Sequence, residues 1–157
     1  MEIRTKPEFR ALEADEISAL LARNNVGRLA FVTEDGVDIR PLHYVYFDDA
    51  IYGRTAPHAK FIQRDFVGER VVFEVDEVEV VFGWRSVLVR GSLSTLAPDG
   101  PAAPEWERAA RMLQRVTKNA FAPGDPVPER DVVFRIAAEE MTGRASAPFG
   151  RGGPPQA

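Results

Sequence analysis

Cysteine is absent from the 157-residue chain, and histidine occurs only twice. Without cysteine there are no disulfides, thiolate nucleophiles, zinc ribbons or iron–sulfur clusters. The two histidines, His43 and His58, show neither the HxH nor the HExxH spacing of metal ligands, so the sequence predicts no metal site. We interpret His58 as a surface helix residue, whereas His43 lies in the middle of a predicted strand.

Positive charge is also in short supply. Lys and Arg total 20 against 24 for Asp and Glu, a formal net charge of −4, which disfavours a nucleic-acid binder. No apolar stretch approaches the roughly 18 residues of a membrane span, and residues 1–10 lack the apolar run of a signal peptide. We therefore expect a cytoplasmic protein with no membrane and no nucleic-acid partner. No GxSxG, P-loop or GxGxxG motif occurs, so hydrolase and Rossmann dinucleotide sites lack their usual signatures.

What is present is a series of short apolar segments that alternate as β-strands do. Strands are predicted at residues 28–33, 37–47, 51–55, 70–75, 84–96 and 131–137, with 78–82 as a further strand or an extended loop. Helices are predicted at residues 15–23, with Asp15 as its cap, at 57–64 and along 106–116. The connections are very short, and closing such an antiparallel sheet into a small barrel removes its edges.

The chain is predicted to form one domain. Residues 1–144 carry all the predicted elements, and residues 145–157 read as a flexible Gly/Pro tail without periodicity. Residues 121–130 form a proline-rich connection before the last strand. The fold class is therefore mainly β with inserted helices.

Two stretches contain residues that are able to carry chemistry. The carboxylates of residues 74–79 alternate with valines, which is typical of a solvated strand edge rather than an acid–base pair. In residues 52–60 a strand ends at Arg54 and Thr55, and a helix is predicted to begin near Pro57. Amides at that helix start, the Thr55 hydroxyl and the Lys60 ammonium are able to converge on a phosphate. On spacing alone, an ordinary capped helix with a solvent-exposed lysine explains the same residues.

Six motifs in order make a more specific pattern. They are VGRLAF at residues 26–31, RPLHYVY at 40–46, IYGRTAPHAK at 51–60, VVFEVD at 71–76, WRSVLVRG at 84–91 and MTGR at 141–144. This order resembles the pyridoxamine 5′-phosphate oxidase-like flavoproteins, most closely the small branch that includes nitroimidazole-resistance-like proteins. The likeness runs over residues 8–144 and implies an antiparallel split β-barrel of the FMN-binding type.

The resemblance implies an FMN held at a homodimer interface. The residues that would line the flavin ring are Arg40, Pro41, Leu42, His43, Tyr44 and Val45. Thr55 and Lys60 would bind the phosphate, with Arg54 as a third contact, while Trp84 and Ser86 would approach from the other subunit and Arg144 from the chain end. His43 and Tyr44 are the candidate catalytic residues, as proton donors near the substrate. We also expect the apolar residues Val87, Val89 and Leu93 to need cover from a second subunit.

Departures from the family pattern bear on the reaction. The oxidases end in a Trp- and Arg-rich substrate motif, whereas Arg144 is followed here by Ala-Ser-Ala-Pro, and Val45 stands where the oxidases have a lysine. No histidine follows His58, which disfavours the haem-binding relatives. We therefore expect an FMN-dependent oxidoreductase that acts on a small organic substrate but not on pyridoxamine 5′-phosphate. The alternatives are a flavin-binding or sensing module without turnover, and a reductase that uses deazaflavin instead of FMN.

Overall fold

The computed structural model describes residues 6–63 and 70–147. Within these ranges the chain forms eight strands, two α-helices and two short 3₁₀ turns, at Lys60–Ile62 and Gly100–Ala102. The strands and α-helices, in chain order, are β1 Glu8–Ala11, α1 Ala14–Arg23, β2 Val26–Thr33, β3 Gly36–His43, β4 Val45–Phe47, β5 Ala50–Thr55, β6 Arg70–Val80, β7 Gly83–Leu96, α2 Ala103–Val116 and β8 Val132–Ala147.

All strand pairs are antiparallel, in the order β3-β2-β6-β7-β8-β5-β4, and β1 pairs with the far end of β8. The first and last strands of this path, β3 and β4, follow one another along the chain with only Tyr44 between them. The sheet must therefore curl until its two ends meet. This architecture confirms the predicted mainly β class, with an antiparallel barrel and inserted helices.

The barrel interior is filled by large apolar side chains. Phe73, Phe134 and Tyr44 are fully buried, and the ring of Tyr44 meets Phe73 edge-on with centroids 5.2 Å apart. Val87, Val89 and Leu93 of β7 are also fully buried within a single chain. The expectation that these three residues need cover from a second subunit is therefore wrong, because the barrel itself covers them.

A second apolar cluster lies under α2. This helix buries Ala109, Ala110 and Leu113, the face that the helical spacing predicts. Ala109 and Leu113 pack in one cluster with Phe47 and Tyr52, whose rings stack with centroids 4.1 Å apart. The Tyr52 hydroxyl donates to the Glu105 carboxylate at 2.6 Å and so ties α2 to β5. The helix is thereby fixed beside the end of β5, where the candidate site lies.

Several predicted boundaries differ from the structure. The strand predicted at 37–47 is broken at Tyr44, and the capping residue of α1 is Glu13, not Asp15, with the Glu13 amide donating to the Glu16 carboxylate at 2.8 Å. The helix predicted at 57–64 is only the turn Lys60–Ile62, and residue 64 lies outside the described residues.

The last strand is also longer than predicted. It continues from Val132 to Ala147, because β1 and β7 both pair with its second half. Residues 145–147 are therefore strand and not tail, whereas residues 148–157 lie outside the described residues.

No helix in the described part of the chain is long and apolar enough to cross a membrane. Among the same residues, no group of three or more His, Asp or Glu side chains is placed to hold a metal ion.

An acidic pair lies on the outer face of the sheet. Glu74 and Asp76 are two residues apart on β6, and the Arg28 guanidinium on β2 lies 3.5 Å from the Glu74 carboxylate and 3.3 Å from that of Asp76. Burial raises the pKa of Glu74 to about 7, and the hydrogen bond and negative charge of Asp76 add to this effect. One arginine is thus shared between two carboxyl groups, of which Glu74 gains its proton first.

This pair predicts a pH-dependent stability. The folded-state pKa of Glu74 lies above its unfolded value of about 4.3, so the folded protein binds an extra proton between these values and loses stability as pH rises through about 7. Glu74→Gln removes the titration, so we expect the melting temperature of the wild type to fall relative to the variant between pH 5 and pH 8. Asp76→Asn is expected to reduce this pH dependence, because it removes the negative charge that helps to raise the pKa of Glu74. Melting curves of wild type and Glu74→Gln that stay parallel across this range would contradict the assignment.

Candidate functional site

A cleft of about 650 Å³ opens where β3, the end of β5 and the segment after α2 come together. Its lining combines apolar side chains with hydroxyl, imidazole and guanidinium groups. The lining residues are Val26, Arg40, Pro41, Leu42, His43, Arg54, Thr55, Ala56, His58, Ala59, Phe61, Leu113, Val116, Thr117, Val127, Glu129 and Arg130.

The first wall of the cleft is the C-terminal half of β3. In the described structure β3 stands at the end of the sheet path and pairs only with β2, so its other edge presents backbone groups. Pro41 has no N–H to contribute to a ladder, which suits an edge strand. Arg40 lies on the same edge, and its guanidinium donates to the Asp38 carboxylate at 2.9 Å. Four of the predicted ring-lining residues, 40–43, therefore form one continuous surface of the cleft.

The floor of the cleft is the turn that follows β5. Thr55 is buried, and its hydroxyl has no hydrogen-bond partner within residues 6–63 and 70–147, although the oxygen keeps some solvent access. The turn closes through the Ala59 and Ile62 amides, which donate to the carbonyls of residues 56 and 59. The amides of His58, Lys60 and Phe61 have no acceptor in the described structure. A turn that carries a hydroxyl and amides without acceptors offers the kind of donors that bind an anion.

The second wall comes from the end of α2 and from the connector loop, residues 117–131. It contributes Thr117, Val127, Glu129 and Arg130 to the cleft. Sequence analysis missed this wall because the loop contains no motif and reads as a proline-rich connection. It also missed His58, which was interpreted as a surface helix residue but lines the cleft. The only available signal for His58 was its position three residues after Thr55.

Arg54 has a different environment from the one expected. Its guanidinium donates to both oxygens of the Asp125 carboxylate, at 2.6 and 2.9 Å, and both side chains are buried. The hydrogen bond from Arg54 holds the pKa of Asp125 well below its usual range. The Phe121 ring covers the guanidinium at 5.1 Å from the ring centroid. Arg54 reaches the cleft, but two of its nitrogens are engaged by Asp125.

Tyr44 and Val45 do not line the cleft, although both were expected there. The Tyr44 side chain is fully buried, and its hydroxyl donates to the Leu21 carbonyl at 2.7 Å. Burial raises the pKa of that hydroxyl, so it stays protonated. Val45 packs in the cluster under α2. Of the two candidate proton donors, the structure therefore leaves His43 at the cleft and corrects the placement of Tyr44.

Four further predicted residues lie outside the lining. Lys60 is exposed, between the lining residues Ala59 and Phe61. Trp84, Ser86 and Arg144 lie together on β7 and β8, where Ser86 is paired with Arg144 and the Trp84 ring is 6.3 Å from that of Phe9. These three residues do not reach the cleft of their own chain.

The cleft residues fit a ligand with a phosphate and a flat apolar ring. Pro41, Leu42, Phe61 and Leu113 supply apolar surface, while Thr55 and the free amides supply donors for an anion. The edge of β3 supplies backbone groups that a heteroaromatic ring would need as hydrogen-bond partners. An FMN has these two parts.

Known proteins share this architecture. A FAD-binding protein of Mesorhizobium loti is 30% identical, covers 89% of this chain and 99% of its own, and superimposes with a TM-score of 0.72. A candidate 5-nitroimidazole antibiotic resistance protein of Bacteroides thetaiotaomicron is 18% identical over 90% of this chain and 89% of its own, with a TM-score of 0.70, and shows the same fold. An uncharacterized protein of Rhizobium meliloti strain 1021 is 26% identical over 147 residues, which cover 87% of this chain and 95% of the relative.

A family model also matches most of the chain. The model of the pyridoxamine 5′-phosphate oxidases spans residues 13–145, which include both walls and the floor of the cleft. Together with the relative at 30% identity, this match shows that the chain belongs to the pyridoxamine 5′-phosphate oxidase family.

Proposed function

We propose that this protein is a cytoplasmic, homodimeric FMN-dependent oxidoreductase that acts on a small organic substrate. The observation that carries the proposal is the donor set of the cleft floor, where Thr55 and three amides without acceptors adjoin an apolar slot. The FAD-binding relative from Mesorhizobium loti supports a flavin as the ligand. When bound, FMN supplies hydride and electron transfer at its ring system, and the protein supplies position and electrostatics.

The residues of the floor bind the phosphate in this proposal. Thr55 donates its hydroxyl, and the amides of residues 58, 60 and 61 complete the cradle. Lys60 is exposed and lies beside this cradle, so its flexible ammonium is available to the same anion. Residues 40–43 orient the ring through the β3 edge, and His43 is the candidate proton donor on that wall.

The partner subunit completes the site in this proposal. The tip of the β6–β7 hairpin, with the last residues of β6, exposes Val78, Val80 and Val81, and Val81 keeps 80% of its surface accessible. An apolar hairpin tip of this kind is typical of an interaction surface. In this hairpin Val78 pairs with Trp84, which lies two residues before Ser86. Trp84 and Ser86 are the residues that are expected to approach the flavin of the other subunit. A second copy is therefore the occupant that we propose for this tip.

The oxidation of pyridoxamine 5′-phosphate is not part of the proposal. The C-terminal substrate motif of the oxidases is replaced here by residues 145–147, which the structure uses as the end of β8 paired with β1. In this proposal the cleft and its floor hold the flavin, while the substrate-recognition segment does not follow the oxidase pattern.

We first predict the effect of losing the lysine beside the phosphate cradle. Lys60→Ala is expected to weaken FMN binding by about 1.5–3 kcal/mol, the contribution of a charge-assisted hydrogen bond, or about ten- to 150-fold in Kd. Riboflavin has no phosphate, so its affinity should be unchanged. Lys118→Ala, an exposed lysine in the connector loop that does not line the cleft, is the matched control. Titration by flavin fluorescence measures both ligands. Equal losses for FMN and riboflavin would remove Lys60 from the phosphate site.

The second prediction concerns the hairpin. Val81→Glu places a charge on the proposed interface, so we expect the variant to become monomeric at micromolar concentration and to bind FMN at least tenfold more weakly. Thr95→Glu, an exposed position at the other end of β7, should leave both properties unchanged. Light scattering gives the mass, for which a monomer is 17.4 kDa. A wild type that scatters as a monomer, or a Val81→Glu dimer of full affinity, would overturn the shared site.

The third prediction concerns the reaction itself. Protein loaded with FMN and reduced is expected to be reoxidised by a small electrophile such as a nitro compound or a quinone, and to release no peroxide with pyridoxamine 5′-phosphate under air. The absorption spectrum and the mass of the released cofactor distinguish FMN from FAD and deazaflavin. Rapid peroxide release would show that the oxidase reaction is retained. Reduction by dithionite but by no physiological donor would support a binding module instead.

A further inference from the structure

The ion pair between Arg54 and Asp125 joins the strand that leads into the floor of the cleft to the loop that forms its second wall. Arg54 belongs to β5, and Asp125 lies in the connector loop, 71 residues later. The Asp125 carboxylate accepts two bonds from Arg54 and one each from the amides of Phe121 and Val127, at 2.9 and 3.0 Å. The guanidinium also lies 3.4 Å from the Arg130 carbonyl. The Asp125 carboxylate thus links the two halves of the connector loop to β5.

The connector loop is otherwise a series of tight turns. The amides of residues 120, 122, 125 and 130 each donate to a carbonyl three residues earlier. Asn119, Phe121 and Gly124 adopt left-handed backbone conformations, which for the first two residues cost energy and need outside support. Support of that kind comes from Asp125, because its carboxylate accepts the Phe121 amide directly. The strained half of the loop therefore depends on the ion pair.

The same loop forms the second wall of the cleft. Val127, which donates to Asp125, is itself a lining residue, and so is Arg130, whose carbonyl faces Arg54. A change at Asp125 therefore acts on lining residues of the second wall and not directly on β3, whereas Arg54 itself lines the cleft beside Thr55. A buried ion pair often contributes less to the stability of a fold than apolar residues of the same size would. A role in fixing one conformation of the connector loop gives a reason for its presence.

We propose that Arg54 and Asp125 are positioning residues, which hold the connector loop as a preorganised wall against the ring of the bound flavin. The inference rests on the proposed flavin function and deepens it. It also assigns Arg54 a role different from the expected third phosphate contact, because Nη1 and Nη2 of its guanidinium are both engaged by Asp125. The wall acts on the ring, which FMN and riboflavin share, and not on the phosphate.

The test compares FMN with riboflavin in variants of the pair. Asp125→Asn keeps the size of the side chain and an oxygen that accepts hydrogen bonds from amides, but it removes the charge. Arg54→Lys keeps the charge but loses the bidentate hydrogen bonding. We expect each variant to lose at least tenfold in affinity for both flavins alike. The double variant should be no weaker than the weaker single one, because the two residues act as one unit. A loss confined to FMN in Arg54→Lys, with normal or tighter FMN binding by Asp125→Asn, would show that Arg54 is a phosphate ligand and overturn the proposal.

A second readout does not depend on any flavin. Amide hydrogen exchange of the ligand-free protein should show slow exchange at Phe121 and Val127 in the wild type, and at least tenfold faster exchange in Asp125→Asn. Glu139→Gln is the control, since it removes an ion pair with Arg70, and neither residue lines the cleft. It should leave both flavin affinity and loop exchange unchanged. Unchanged exchange in Asp125→Asn would disprove the positioning role, whereas a wild type that protects these amides but binds no flavin would refute the proposed function instead.

Discussion

Tyr44 is the residue at which the chain crosses from one end of the sheet path to the other. Up to His43 the chain pairs with β2, and from Val45 it pairs with β5, which lies at the opposite end of the sheet path. The Tyr44 amide donates to the Asn25 carbonyl at 2.9 Å, and its hydroxyl donates to the Leu21 carbonyl. Because the hydroxyl bond is buried, a shift of this residue would leave polar groups unsatisfied in the core. The curl of the whole sheet, and the unpaired edge of β3, depend on this crossing.

The cleft follows from that crossing. The pairing of β3 with β2 ends at His43, and the free edge of β3 faces the end of β5. The connector loop that follows α2 closes the space between them. Gly53 allows the close approach, since a Cβ there would meet the Phe134 ring and would lie 3.1 Å from the His43 carbonyl oxygen. Helix α2 is fixed beside β5 by the Tyr52 and Glu105 hydrogen bond, so the connector loop starts at a defined place. The site is therefore an outcome of how the barrel closes and not an addition to it.

The sequence was sufficient to predict the elements whose position follows from local residue patterns. Alternation predicted β7 and its buried residues, and helical spacing predicted the buried face of α2. The pattern failed where tertiary pairing decides. Tyr44 and Val45 are adjacent yet both buried, because the change of strand at Tyr44 lets the two side chains enter different apolar clusters. Strand β1 has four exposed residues and no apolar signal, and it forms only because β8 offers an edge. The second wall of the cleft was invisible for the same reason, because Arg54 and Asp125 meet only in the folded chain.

The electrostatics of the cleft explain how an acidic chain is suited to an anion. The lining includes the cations Arg40, Arg54 and Arg130 and the single carboxylate Glu129. Two of these cations are paired, Arg40 with Asp38 and Arg54 with Asp125, so they add little net charge. The attraction for a phosphate then falls mainly to oriented neutral groups, the Thr55 hydroxyl and the free amides, and to Lys60 beside them. Such dipoles act only at short range, whereas a net charge of −4 repels polyanions at longer range. In the proposed function, a small ligand whose phosphate fits the turn satisfies these donors at that range.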